Sequence, residues 1–443
     1  MTSVKFVNLR VNNAEQFREA LAEPIPNTSI FMTFGKVDAW ANDAAPDTAN
    51  SSISTVYEIW KNMVGGKKVL GGDLHHVIPR NNWTANSVYT PYDNLSSNLY
   101  DDDVAFCVVN SDLSVYKCIS NNGGANSTIE PTSVNPSITS TTSDGYSWKF
   151  MYNISDAEEI RFTTESYIPV KTISSDDGSL QWQVQENAED GAINSVIIIN
   201  AGTGYTNSSN IVVTVSGDGS SFSGFATVNT TTNTISSISI TNPGAGYTYA
   251  TVDITDLSGN GSSAEARAII SPPGGHGSNP LYELGGKNVM INTKFIYDED
   301  EVFPLNNDFR QIALLKDPYL NGTANVATNT TFLQATTLIV AGIGSYVDDE
   351  YVYQGSSFAT ATFSGRVVEW NETTGKLILI NTEGTPTASF ALIGSTSSTS
   401  RVISSITENA FQPYTGQILY VDNIKPVTRS SDQIEDFRIL VNF

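Results

Sequence analysis

Residues 29-SIFMTFGKVDAW-40, 53-ISTVYEIWKNMVGG-66 and 69-VLGGDLHHVIPRNNW-83 form the block around which the rest of the chain is organised. An apolar strand comes first, then one well-signed helix. Thr55 stands where a helix cap is needed, Glu58 follows three residues later to complete a capping box, and Gly65 and Gly66 supply a stop. Val56, Ile59, Trp60 and Met63 fall on one face, which is expected to pack on the strand from Ile30 to Phe34. Strand plus helix is half a domain and needs partners from elsewhere.

Those partners come late in the chain. The phrases IFMTFGKVDAW, VYEIWKNMVGGKKVL, HHVIPRNNW, VYKC, SDGYSWKFMYNI, DFRQIALLKDP, TGQILYVDNIKPV and DQIEDFRILVNF occur in that order. Together they resemble the gene-eight (gene product eight) baseplate wedge subunit family of T-even-like contractile-tailed phages, in the form of a cyanophage-type member with two inserted β modules. The resemblance covers roughly 29–170, 290–318 and 412–443, whereas 191–275 and about 330–405 have no counterpart in it. It implies a structural subunit of the virion, homodimeric within a wedge, contacting other wedge proteins and assembled in the host cytoplasm. It also implies a part in transmitting the change that triggers sheath contraction.

Composition is compatible with that expectation. At 443 residues the chain is long enough for two to four folding units. Its 46 acidic against 23 basic residues, net −23, disfavour wrapping nucleic acid or lying on anionic lipid. No stretch approaches the roughly 20 apolar residues of a membrane helix, and MTSVKFVNLRVNNAEQF lacks a signal peptide's basic start and apolar centre. The expectation is a protein with no membrane partner, in which Asn82 and similar sequons are plain polar loop residues. Cys107 and Cys118 lie in apolar runs joined by Asn110-Ser111-Asp112. In a symmetric hairpin they face each other, and in a cytoplasmic product they serve as small core hydrophobes, not as a disulfide.

In chain order, VKFVNLR alternates like a strand, and Asn13 is placed to cap a helix from Ala14 to Ala22 that Pro24 and Pro26 end. From Val104 onward, short runs of Val, Tyr, Phe and Trp separated by Asn, Gly, Ser and Asp predict antiparallel sheet. Helix signals nearly vanish after position 65, with DAEEIRF a weak exception. Residues 120–144 read as a surface loop before a strand from Tyr146 to Ile154.

A tandem repeat follows. INSVIIINAGTGYT to SGDGSS recurs as ISSISITNPGAGYT to SGNGSS, with Tyr205 and Tyr247, and Gly217 and Gly259, each separated by 42 residues (247 minus 205; 259 minus 217). Each copy predicts strand, Gly-rich turn with an anchoring tyrosine, strand, Gly/Ser turn, strand. A second insertion, from about Leu338 to Arg401, predicts a small barrel or sandwich with Asn371 to Gly375 as a hairpin loop between Val367–Trp370 and Lys376–Ile380. The apolar end at Phe443 is expected to be tied into a sheet.

The predicted fold class is therefore mainly β with a few helices (α+β): multi-domain antiparallel sandwiches or barrels with a small N-terminal α/β portion. Four domains are expected: a core from 1–95, 290–325 and 406–443; an antiparallel domain at 96–190; the repeat module at 191–275; and the small β module at 330–405.

Chemistry is harder to find. His75 and His76 are adjacent, His276 is distant, and no spacing with the cysteines suggests zinc. Asp101 to Asp103 and Asp348 to Glu350 lack the alternation and glycine of an EF-hand and read as charged loops or strand ends. SGDGSS and SGNGSS lack the Lys and Ser/Thr of a phosphate loop. No nucleophile elbow or paired acid and base is identifiable, so no catalytic residue, cofactor or metal ligand is assigned and an enzyme is not expected. Tyr205, Tyr247, Tyr353 and Trp370 are read as core before sugar-stacking residues. The rival reading is a virion-surface protein whose inserted modules bind host glycans during adsorption.

Overall fold

The computed structural model describes residues 6–22, 28–137, 139–296, 302–305 and 307–443. The chain folds as two units, Met1–Glu15 with His75–Met290 and Leu440–Phe443, and Gln16–Leu74 with Ile291–Ile439. The architecture is mainly β, in several antiparallel sheets and one closed barrel.

In the second unit a five-stranded sheet runs in the order Thr331–Leu333, Met63–Lys68, Ile30–Gly35, Asp308–Lys316, Gln417–Thr428. The strand Ile30–Gly35 is buried along its whole length, which its unbroken apolar run required. Side chains alternate across the sheet. Phe31 joins Ile59, Trp60 and Met63 beneath helix Ile53–Asn62, while Phe34 turns to the other face against Phe295, Phe303 and Phe309 at 5.0–5.3 Å between ring centroids. The helix packs on the strand as expected, but it starts earlier. Ser52 is the cap, its hydroxyl accepting from the Thr55 N–H, so Thr55 sits within the first turn.

Gly65 and Gly66 do not stop that helix. Both lie in the strand Met63–Lys68, where a Cβ on Gly66 would meet the Met32 carbonyl at 2.5 Å and the Phe332 ring at 2.7 Å. They are glycines because neighbouring backbone and a ring lie too close for anything larger.

The second insertion closes a six-stranded barrel in the order Thr336–Ala341, Lys376–Gly384, Phe363–Asn371, Tyr351–Gln354, Ala391–Gly394, Ser400–Thr407, the last pairing back on the first. Its hairpin lies where predicted, but Asn371, expected in the loop, extends the strand and pairs with Lys376. Leu338, Val352, Phe363, Val367, Leu377, Leu379 and Leu392 fill the interior. Its base is held by Gln334, and its flank by ion pairs Arg366–Asp38 and Lys61–Glu383 (3.1 Å).

The first unit carries the sheet Cys107–Val109, Ser114–Asn121, Tyr146–Asn153, Ser140–Thr141. Cys107 pairs with Lys117 across the hairpin, and the two cysteines point to opposite faces. Cys107 enters the cluster of Val109, Val115, Met151 and Tyr152, and Cys118 that of Tyr116, Tyr146, Trp148 and Phe150. The expected face-to-face arrangement is therefore wrong by one residue of register. Both are free and buried.

The N-terminal strand and its separate helix are replaced by one helix, Val7–Ala22. Val7, Val11 and Ala14 recur at helical spacing, and Val11 and Ala14 are fully buried, which outweighs the apparent alternation of VKFVNLR. Val4 and Lys5 of that segment, and Pro24 and Pro26, lie outside the described residues. DAEEIRF is a helix, Asp156–Phe162, with a full capping box from Ser155 and Glu158. Leu180–Glu186, capped by Ser179, and the short Pro280–Glu283 are helices that sequence reading missed.

The repeat module exchanges strands between its copies. Copy one supplies Ile193–Thr203, Ile211–Gly217 and Ser220–Asn229; copy two supplies Thr234–Ala245, Ala250–Asp256 and Ser262–Ile270. The first strand of copy one pairs with the third of copy two, the third of copy one with the first of copy two, and the two middle strands with each other. Even the irregularities recur at the repeat distance: bulges at Glu265/Ala266 and Ile269/Ile270 match those at Ser223/Gly224 and Thr227/Val228. Tyr205 lies against Gly261, and Tyr247 against Gly219, each ring under a glycine of the other copy.

Candidate functional site

The polar side chains singled out in the sequence are dispersed. His75 and His76, successive on the strand Leu74–Pro79, go separate ways. His75 meets Glu158 (Nε2 to Oε1 3.4 Å) and the Phe162 ring, while the His76 Nδ1 lies 3.0 Å from the Gly286 carbonyl. Among the described residues no group of three His, Cys, Asp or Glu is placed to hold a metal ion.

Asp102 pairs with Lys287 at 2.9 Å from the exposed run 101–103. Asp348 to Glu350 is more than a charged loop. Glu350 is buried and ties off the barrel end, accepting from the N–H groups of Val347 (2.8 Å), Thr396 (2.9 Å) and Ser397 (2.9 Å) and from the Ser397 hydroxyl (2.7 Å). Burial alone would raise its pKa; those hydrogen bonds reverse the direction and hold it low. Asp348 and Asp349 are raised, chiefly by burial.

The glycine-rich turns do turn chemistry. Asp218 accepts from the N–H of Thr248 (2.9 Å), and Asp256 from that of Gly261 (2.7 Å). Tyr205 and Tyr247 are core, 1% and 4% exposed. Trp370 is half-buried at the barrel interior, edge-on to Tyr346 with the Arg401 guanidinium 4.7 Å over its ring. Tyr353 is half-buried outside the barrel, beside Tyr351 and the exposed Phe358.

What brings reactive groups together is a cluster that the sequence did not reveal. The strand Ser114–Asn121 turns Lys117 inward, fully buried, where its Nζ lies 3.0 Å from Glu283 Oε2, 3.0 Å from His276 Nδ1 and 4.1 Å from the centre of the Tyr92 ring. Glu283 ends the helix Pro280–Glu283, and its Oε1 accepts from Gly277 N–H (2.7 Å) and Asn279 N–H (3.2 Å). His276 sits edge-on to Tyr92 at 4.8 Å. Burial pushes the Lys117 pKa down against the pull of Glu283, and it pushes His276 well down, helped by the charges of Lys117 and Lys149. Lys149, bonded to the Pro136 carbonyl at 2.8 Å, is lowered to about 8 by burial.

Beside this cluster a cleft of about 20 Å³ is lined by Pro79, Asn81, Tyr100, Asp102, Cys107 and Lys287 among others. It has room for about one water, far below the several hundred Å³ of a substrate pocket.

Residues 3–120 match the model of a family described as Bacteriophage T4, Gp8. Over 88 residues the chain is 30% identical to the baseplate wedge protein gp8 of Enterobacteria phage T4, covering 19% of this chain and 26% of that protein. The aligned stretch thus spans about a quarter of the length of that curated relative. The matched segment, which includes the strand–helix block, is similar to that family.

Proposed function

We propose that this chain is a non-enzymatic structural subunit of a phage tail baseplate wedge, located in the virion and assembled in the host cytoplasm. The observation that carries the reading is the Gp8 match over 3–120, which contains the strand Ile30–Gly35 and the helix Ile53–Asn62 with the buried core between them. In the proposal it acts as a homodimer, contacts neighbouring wedge proteins and passes on the rearrangement that precedes sheath contraction. It works through interface area and alternative packings, without nucleic acid or membrane. The net charge of −23 supports the last point. Immunogold microscopy of intact virions with antibodies to the whole chain tests it. Gold clustered at the tail tip supports the reading; gold on the head or at the distal fibres overturns it.

A second reading has one observation in its favour. Phe358, exposed on the barrel, packs edge-on with Tyr351 (5.5 Å) and Tyr353 (5.9 Å), an aromatic group of the kind that contacts sugars. In that reading the barrel binds host glycans during adsorption. Binding of the full chain on a glycan array, lost in Y353A, supports it; an array without signal removes it.

A further inference from the structure

We infer that Lys117 and Glu283 are joined by an intramolecular amide bond. The buried cluster holds every component of the condensation within reach. Nζ of Lys117 and Oε2 of Glu283 are 3.0 Å apart in a site where Lys117 is fully buried, and proton transfer along that hydrogen bond leaves an amine and a carboxylic acid. Separated charges are costly in such surroundings, and the neutral pair is the nucleophile–electrophile pair.

The remaining groups fit the path of the reaction. As the amine lone pair attacks Cδ of Glu283, negative charge develops on Oε1, which already accepts from the N–H groups of Gly277 and Asn279 at 2.7 and 3.2 Å. Two backbone donors aimed at one oxygen make an oxyanion hole. His276 Nδ1 stands 3.0 Å from Nζ and 4.0 Å from Oε2, so it can take the proton shed by the nitrogen and return it to the departing oxygen. Its Nε2 has no hydrogen-bond partner among the described residues. Burial keeps that imidazole neutral and ready to accept.

One C–N bond forms, one C–O bond breaks, and one water leaves. Nothing is oxidised or reduced. The Tyr92 ring over Nζ and the lack of exposed surface keep solvent from reversing the step. The product ties the strand Ser114–Asn121 to the helix Pro280–Glu283 over a sequence separation of 166, closing a covalent ring around the whole inserted repeat module. Such a ring restricts the unfolded chain as a disulfide does, without depending on redox conditions.

Intact-protein mass spectrometry of the purified full chain is the test. The expected mass is that of the sequence less one water, with a branched peptide joining the Lys117 and Glu283 fragments after digestion. K117R is expected to show the full sequence mass, and H276A a mixture dominated by the uncrosslinked form. Wild-type protein at the full sequence mass after prolonged incubation overturns the proposal, as does a water loss that persists in K117R. The wild-type mass decides the question even if a variant fails to fold.

Discussion

The side-chain amide of Gln334 copies a peptide group: its Nε2 donates to the Phe411 carbonyl and its Oε1 accepts from the Phe411 N–H, both at 3.1 Å and both buried. The two polypeptide stems of the barrel meet here, where Ala410 N–H also reaches the Leu333 carbonyl at 3.1 Å. A glutamine thus closes a ladder that two diverging backbones leave open.

Replacing that amide strands two buried backbone groups. Q334A is expected to destabilise the second unit by about 2–4 kcal/mol, since each unsatisfied group costs about 1–3 kcal/mol. Chemical denaturation followed by Trp fluorescence measures it, and a loss below half a kcal/mol, by the same reasoning, counts against the clamp.

The strand exchange predicts matched penalties. A Cβ on Gly261 would stand 2.3 Å from the Tyr205 ring and one on Gly219 2.4 Å from the Tyr247 ring. G261A and G219A are each expected to cost about 1–3 kcal/mol as overpacking, with values agreeing to within about half a kcal/mol. Thermal unfolding of the two variants side by side tests this; a penalty at one site alone contradicts the two-fold equivalence.

Glu158 sets an acid limit. Burial pushes its carboxyl up, but hydrogen bonds from His75, Lys171 and Ser155 outweigh that and hold it well below its ordinary value of 4.5. A depressed folded-state pKa contributes stability that is whole above about pH 5, taking the ordinary carboxylate value as the unfolded one, and fades as pH falls through the acid range. E158Q is therefore expected to be less stable than wild type at pH 7, with the difference shrinking as pH falls from about 5 to 3. Urea midpoints across that range read it out, and parallel curves contradict the assignment.

Cys107 and Cys118 are expected to be silent toward thiol reagents in the folded protein. Both are buried, on opposite faces of one sheet, and burial raises the Cys107 thiol to about 12 and that of Cys118 higher still. An aromatic disulfide reagent should report neither thiol under native conditions and both in denaturant. Rapid native reaction of either one speaks against the packing described.

The sequence exposed features whose cause is local. The helix face Ile59-Trp60-Met63, the hairpin at Asn371–Lys376 and the repeat period all follow from spacing within a few residues or from self-comparison. The exchange of strands was hidden, because a period states that two copies are alike and says nothing about which strand pairs with which. Val7 and Val11 misled for the opposite reason, since a short apolar pattern satisfies both the period of two and the period of 3.6. Lys117 stood in plain view inside VYKC, yet its partners Glu283 and His276 lie beyond the whole inserted module, and only the folded chain brings them together.

The interlocked copies also bear on heredity. Neighbouring near-identical segments invite unequal recombination, which deletes one copy. Here that loss removes 42 residues and, with them, the mates of all three remaining strands, so a shortened descendant would expose unpaired edges in place of a smaller module. During synthesis the leading copy must likewise wait for its successor to leave the ribosome before its strands have anything to pair with. The geometry of its hydrogen bonds keeps the duplication from falling below two.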